Sequence, residues 1–159
     1  MRVAQAGFTA VEMMVVIAVI GILAMIAIPS SMGKIIKEQV NAAMPLADSA
    51  KAPIAVSWAA LKVLPAGNKE AGLPVPELVV SNFVSALEVR GGVINMTFGN
   101  KAHAQLKGKI LSFRPAVIEE SQVVPVAWVC GNAKAPEKMV VKGENKTNVA
   151  DTYLPFICR

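Results

Sequence analysis

With 159 residues the chain has room for one compact domain and one extended element, and at 54% hydrophobic against 17% charged it is too apolar for a disordered segment. Its net charge of +5 comes from scattered lysines and arginines without a dense basic block, so charge alone singles out neither nucleic acid nor an anionic surface as the partner. The sequence has no glycine-rich nucleotide loop, and its one histidine, His103, stands in the turn-like stretch 100–105 without a carboxylate or cysteine beside it, which argues against a motor ATPase, a tethered hydrolase, a metal site or a cofactor.

The N-terminus is the most informative part. Sixteen unbroken apolar residues, Met13–Ile28, follow Gly7-Phe8-Thr9-Ala10-Val11-Glu12. Phe8–Ile28 approaches the roughly 20 residues that span a bilayer core, so membrane residence at some stage is expected. A cleavable secretory signal is the competing reading, with Arg2 as its basic end. The apolar run exceeds the roughly 7–15 residues of an ordinary signal, and helical sequence continues beyond it. Glu12 then needs a reason, because an isolated carboxylate in hydrocarbon costs several kcal/mol unless it snorkels, neutralises or meets a cation.

Helix is predicted from Phe8 to about Leu61. Ile36, Val40, Ala43, Ala47, Ala50, Ile54, Trp58 and Leu61 recur every three or four residues as one stripe, with Lys34, Lys37, Glu38, Asp48, Lys51 and Lys62 off it. Pro29, Pro45 and Pro53 each remove an amide donor, so a bend or melted stretch is expected around Pro29–Gly33 and milder bends at the other two. Pro65-Ala66-Gly67-Asn68 stops the helix, and Leu64–Ser85 reads as an irregular surface connection.

Three strand-like runs follow, Glu88–Phe98, Lys109–Ile118 and Val123–Cys130, in a pattern that suggests an antiparallel meander. Its apolar face would cover the helical stripe, giving an α+β head with Trp58 and Trp128 inside. Cys130 and Cys158 read as a disulfide in an extracytoplasmic protein, closing a loop of about 28 residues worth about 3–4 kcal/mol. A metal pair lacks further ligands and a catalytic thiol lacks a base.

The remaining motifs read as ordinary surface. Asn95-Met96-Thr97 and Asn145-Lys146-Thr147 match the minimal glycosylation sequon. Lys134, Lys138, Lys142 and Lys146 recur every four residues, diluted by Glu137, Glu144 and Asp151, and suit a solvated loop better than a DNA-binding face. No aromatic residue lies between Thr9 and Ser57, so the helix cannot carry an aromatic electron-conducting stack.

Gly7-Phe8-Thr9-Ala10-Val11-Glu12, the run Met13–Ile28, Pro29 and a C-terminal cysteine pair near Tyr153-Leu154-Pro155 together resemble a type IV pilin precursor of the short-leader, type IVa class. The layout covers the whole chain, although only the first 30 or so residues carry a specific motif. The resemblance implies residues 1–7 as leader, 8–32 as the membrane and filament-core helix, and 33–159 as the head with its disulfide-bounded loop 130–158. It implies the type IV pilin fold, a long N-terminal helix with a protruding hydrophobic half and an antiparallel β-sheet.

It further implies cleavage between Gly7 and Phe8 by a prepilin peptidase, N-methylation of Phe8, and a contact of Glu12 with the Phe8 amine of a neighbouring subunit. Pro29 and Gly33 correspond to the helix break, and Cys130 and Cys158 to the family's cysteine pair. Ala10 and Met13 stand where the family often has Leu, and the leader is less basic than usual.

The implied function is that of a structural, non-enzymatic pilus subunit, a helical homopolymer held in the inner membrane before assembly and in an extracellular fibre afterwards. It would support adhesion, twitching motility and, within a larger machine, DNA uptake. Its partners would be copies of itself, the peptidase/methyltransferase, an assembly platform, separate ATPases, minor pilins, surfaces and DNA. The alternative is a type II secretion pseudopilin or a minor pilin.

Overall fold

The computed structural model describes residues 7–121 and 123–159, and the side chains of residues 27–31 lie outside that description, as do residues 1–6 of the expected leader 1–7. Helix α1 runs Ala10–Ala43 and is continuous across Pro29 and Gly33. The expected helix to Leu61 is interrupted once, by a 3-10 turn at Met44–Ala47, before α2 resumes over Asp48–Leu61. Pro45 explains the interruption, since without an N–H it cannot hold the α-helical bond and the tighter turn takes its place. Pro53 is accommodated inside α2.

The phase survives the interruption. Ile36, Val40, Ala43, Ala47, Ala50, Ile54 and Trp58 are all buried, as the stripe predicts. Leu61 departs from it and is 70% exposed, because the chain turns away at Lys62, which closes α2 in the left-handed region at φ 53°. Lys51 departs the other way. Its ammonium sits 4.8 Å from the centroid of the Phe113 ring and 2.9 Å from Asp48 Oδ1, tying α2 to the sheet.

Among the described residues five antiparallel strands form the sheet: β1 Val84–Arg90, β2 Val93–Phe98, β3 Ile110–Val117, β4 Ala127–Cys130 and β5 Val140–Val141. The order is β1-β2-β3-β4, with β5 also paired to β3. The run expected as one strand over Glu88–Phe98 is therefore a hairpin. Gly91 and Gly92, at φ 56° and 79°, make the two-residue turn, whose left-handed backbone matches the twist of the flanking strands. Residues 123–126, expected to begin the last strand, are irregular, and β5 has no counterpart in the sequence reading.

Pro115 lies inside β3 at a place where its missing donor does no harm. Pairing with β2 ends at Phe113, and β5 takes up the vacated edge at Ala116 and Val117. One face of the sheet packs Leu87, Val89, Ile94, Met96, Phe98, Leu111 and Phe113 into the same core as the helical stripe. Trp58 is buried, whereas Trp128 is only half-buried against this core.

The connection before β1 is irregular, as expected, but it seals the edge strand. Asn68 is 8% exposed and bonds β1 the way a neighbouring peptide group would. Its Nδ2 donates to Leu87 O and Pro74 O, both at 2.9 Å, and its Oδ1 accepts from Val89 N at 2.6 Å. Gly91 N and Gly92 N continue the seal by donating to Ala66 O and Pro65 O. An edge closed this way offers no template to another strand.

The chain divides into two compact units, one ending at Ile35 and the other comprising Ile36–Arg159.

Candidate functional site

Glu12 and Thr9 build the start of α1. Thr9 is the residue before the first helical position, and Glu12 is the third position within the helix. The Thr9 hydroxyl donates to Glu12 Oε2 at 2.7 Å, the Thr9 amide donates to the same oxygen at 2.8 Å, and the Glu12 amide donates back to Thr9 Oγ1 at 3.3 Å. This reciprocal capping box satisfies amide donors that the first turn leaves unpaired, and it sets a carboxylate against the positive end of the helix. Thr-x-x-Glu ahead of an apolar run is the sequence signature of such a cap, so Thr9 was readable as a site residue and was missed.

The described hydrogen bonds of the Glu12 carboxylate both fall on Oε2. They involve nothing before Thr9, so the cap is independent of the Gly7–Phe8 bond. Phe8 itself is 79% exposed.

Behind the cap, α1 is apolar on every side as far as Ile26, and its charged side chains, Lys34, Lys37 and Glu38, come later. Val11, Met14, Ile17, Ile22, Leu23, Met25 and Ile26 are each more than 60% exposed, and the other large apolar residues among them are 44–58% exposed. A helix hydrophobic all round has no solvated face and needs lipid or other helices around it. Among the described residues no helix is long and apolar enough to cross a membrane. The run Met13–Ile28 ends in Ala27 and Ile28, whose side chains lie outside the description.

Cys130 and Cys158 are joined, with their Cα atoms 4.5 Å apart, and Cys158 is fully buried. The loop they bound is stitched to the sheet by side chains as well. Thr147 Oγ1 accepts from Ser112 N, Ser112 Oγ accepts from Lys146 N, and Asn148 exchanges two bonds with Ile110. Beneath them Ser112 Oγ donates to Asn95 Oδ1 at 2.7 Å, linking two buried residues that face each other across β2 and β3.

Asn95 is buried, and Asn145 Nδ2 donates to Gly131 O and Asn132 Oδ1, so neither sequon presents a free amide. The four regularly spaced lysines share no helical face, because 131–150 is irregular apart from β5. Lys142 pairs with Glu119, and the ammonium holds that carboxyl below its ordinary range. His103 lies in a turn-rich stretch, where its amide donates to Gln39 Oε1 and its Nδ1 accepts from Gln105 N. Among the described residues no group of His, Cys, Asp and Glu is placed to hold a metal ion.

The described residues thus hold a capped helix whose first part is apolar all round, a helical stripe laid on an antiparallel sheet and a disulfide-closed tail. The pilin family, described as a bacterial filament, matches residues 37–159, and the prokaryotic N-terminal methylation motif matches residues 2–28. The chain belongs to the pilins and is a structural subunit of the type IV class.

Similarity to individual relatives runs the full length. The type IV major pilin protein PilE1 of Neisseria gonorrhoeae is 31% identical over 165 residues, covering 100% of this chain and 89% of that protein. A fimbrial protein of Neisseria meningitidis serogroup B is 30% identical, covering 100% and 96%. Fimbrial protein EcpC of Eikenella corrodens is 30% identical, covering 98% and 91%.

Proposed function

We propose that the chain is the repeating subunit of a type IV pilus whose axial register is set by Glu12. The observation that carries this reading is a carboxylate held by its own cap at the head of a helix whose first part is apolar on all sides. Hydrolysis of the Gly7–Phe8 peptide bond by a prepilin peptidase removes residues 1–7 and leaves an amine on Phe8, which is then N-methylated and remains cationic. In the low dielectric of a helix bundle, Glu12 meets that amine of a neighbouring subunit in a charge-assisted hydrogen bond. Against release into water, apolar side chains supply most of the cohesion, at roughly 1.5–3 kcal/mol for each fully buried one.

Residues 8–32 serve as membrane anchor in the inner membrane and as fibre core afterwards, and residues 33–159 form the outward head. In the assembled fibre, Pro29 and Gly33 are the weakest points of α1, where it opens if packing demands extra length. Contacts of this heterologous kind do not close, so they propagate as a helical fibre. Assembly needs a membrane platform and separate ATPases, and the fibre serves adhesion, twitching motility and DNA uptake, with minor pilins as accessory subunits. The closed 130–158 loop favours a pilin over a type II secretion pseudopilin.

The test is Glu12→Ala in the native cell, read by mass spectrometry of the envelope and of sheared surface filaments. We expect protein beginning at N-methyl-Phe8 in the envelope at its normal level and at least a tenfold loss of filament. Piliation at the normal level would refute the role of Glu12. The same processed protein confined to the envelope of unmutated cells would favour a pseudopilin.

A further inference from the structure

We propose that an apolar groove on the head receives Phe156 and Ile157 of a second copy, making a head-to-tail contact along the fibre. The proposal rests on the fibre reading above. The groove holds about 360 Å³ between α2 and the β3–β4 connection and is lined by Val56, Trp58, Ala59, Val123, Pro125 and Val126. Val56 is 67% and Val123 is 92% exposed, so the lining is apolar surface left in water. The indole of Trp58 forms part of the wall, and its buried Nε1 finds no acceptor among the described residues.

The complementary knob is on the same molecule. Phe156 is 90% and Ile157 is 66% exposed on the 3-10 turn Phe156–Cys158. The turn is firmly mounted. Cys158 is bonded to Cys130, its carbonyl accepts from Asn132 N, and the Arg159 guanidinium donates twice to Leu154 O. Two large apolar side chains are therefore held outward by the disulfide that buries their neighbour.

Strand β4 separates knob from groove. Residues 123–126 lead into its first residue, Ala127, and Cys130 at its other end carries the knob. At ~3.3 Å per residue the two features lie at opposite ends of a rigid rod of roughly 13 Å, so a knob mounted on one end cannot fill the groove at the other. Between copies, an apolar knob and a pocket at different places on one surface make a heterologous contact that propagates without closing.

The exposed pair Phe156 and Ile157, carried by every copy, identifies a second copy as the occupant, and area explains why the contact forms only in the fibre. One aromatic side chain buries about 150–250 Å², and the whole contact falls far below the roughly 1,200 Å² of a stable free pair. It gains weight only where packed α1 helices already hold neighbouring heads at high effective concentration.

The experiment places a photoreactive benzophenone side chain at position 156 in the full chain and irradiates intact surface fibres. We expect a dimer-sized adduct whose linked peptides join position 156 to residues 55–59 or 123–126. Adducts mapping elsewhere, to lipid, or to no protein at all overturn the contact. As a second measure, V56E and F156K should each let fibres fragment at several-fold lower shear, and the double variant should recover much of the loss. Single variants as robust as the unmutated fibre also overturn it. If unmutated cells yield no fibre, the fibre reading fails first and the contact falls with it.

Discussion

Replacing Asn68 by alanine removes three hydrogen bonds at once, to Leu87 O, Pro74 O and from Val89 N. Each neutral bond is worth about 1 kcal/mol net, and buried groups left unpaired cost about 1–3 kcal/mol apiece. Because this edge of β1 is covered and the side chain is only 8% exposed, little water can repair the damage, and we expect a loss of about 3–4 kcal/mol. For a head of this size that is a fall in Tm of about 12–15 °C. Thermal unfolding of the full chain in detergent, followed by tryptophan fluorescence, reads it. Hydrogen exchange at the Val89 amide reads it locally, with a rise on the order of a hundredfold.

Asn68→Asp sharpens the test. A carboxylate still accepts from Val89 N but faces the carbonyls of Leu87 and Pro74 with no donor, so burial and these oxygens raise its pKa above the ordinary value of about 3.9. The folded state then holds the proton more tightly than the unfolded one. The penalty is absent below the unfolded pKa and grows as pH rises through the folded pKa. Asn68→Asp should therefore lie closer to the unmutated protein near about pH 4 than at about pH 7. An Asn68→Ala change costing under about 1 kcal/mol, or an Asp variant without this pH dependence, would refute the argument that one amide completes the sheet edge.

Three further outcomes are expected. Thr9→Ala removes the hydroxyl bond to Glu12 and should lower surface piliation several-fold while processing at Phe8 continues, whereas Thr9→Ser should retain function; filament yield checks both. Reduction of Cys130–Cys158 should cost the head about 3–4 kcal/mol, measured by thermal unfolding with and without reductant. Glu119 has its pKa depressed by Lys142, so their pairing is present above the ordinary carboxylate pKa and is lost as pH falls through the lower, folded value. Hydrogen exchange in residues 119–126 should quicken in that acid window, and Glu119→Gln should remove the response.

The helical half of the head was legible because its information is periodic and local. Seven of the eight residues in the Ile36–Leu61 stripe are buried, and the exception, Leu61, lies at the last turn, where burial depends on which way the chain leaves. The Gly91-Gly92 turn was readable from the dipeptide and was hidden by the apolar residues on both sides. Asn68, Ser112 and the Asn145–Asn148 stitches were not readable. Their partners lie between about 6 and 38 positions away, and a polar residue that completes a sheet edge looks in sequence like any loop residue. Thr9 lies between these cases, since its signature with Glu12 is local but was overshadowed by the question of why a carboxylate adjoins an apolar run.

The all-round apolar character of the first part of α1 bears on how easily the fibre comes apart again. In the assembly proposed here, a subunit leaving the bilayer trades one hydrocarbon surrounding for another, because lipid tails are about as apolar as leucine. The large burial term is then nearly the same on both sides of the transfer. What remains to tilt the balance is small: the fit of side chain to side chain, the Glu12 contact and the meeting of heads. A polymer poised so near equilibrium with its own reservoir can be lengthened or withdrawn by modest work at its base.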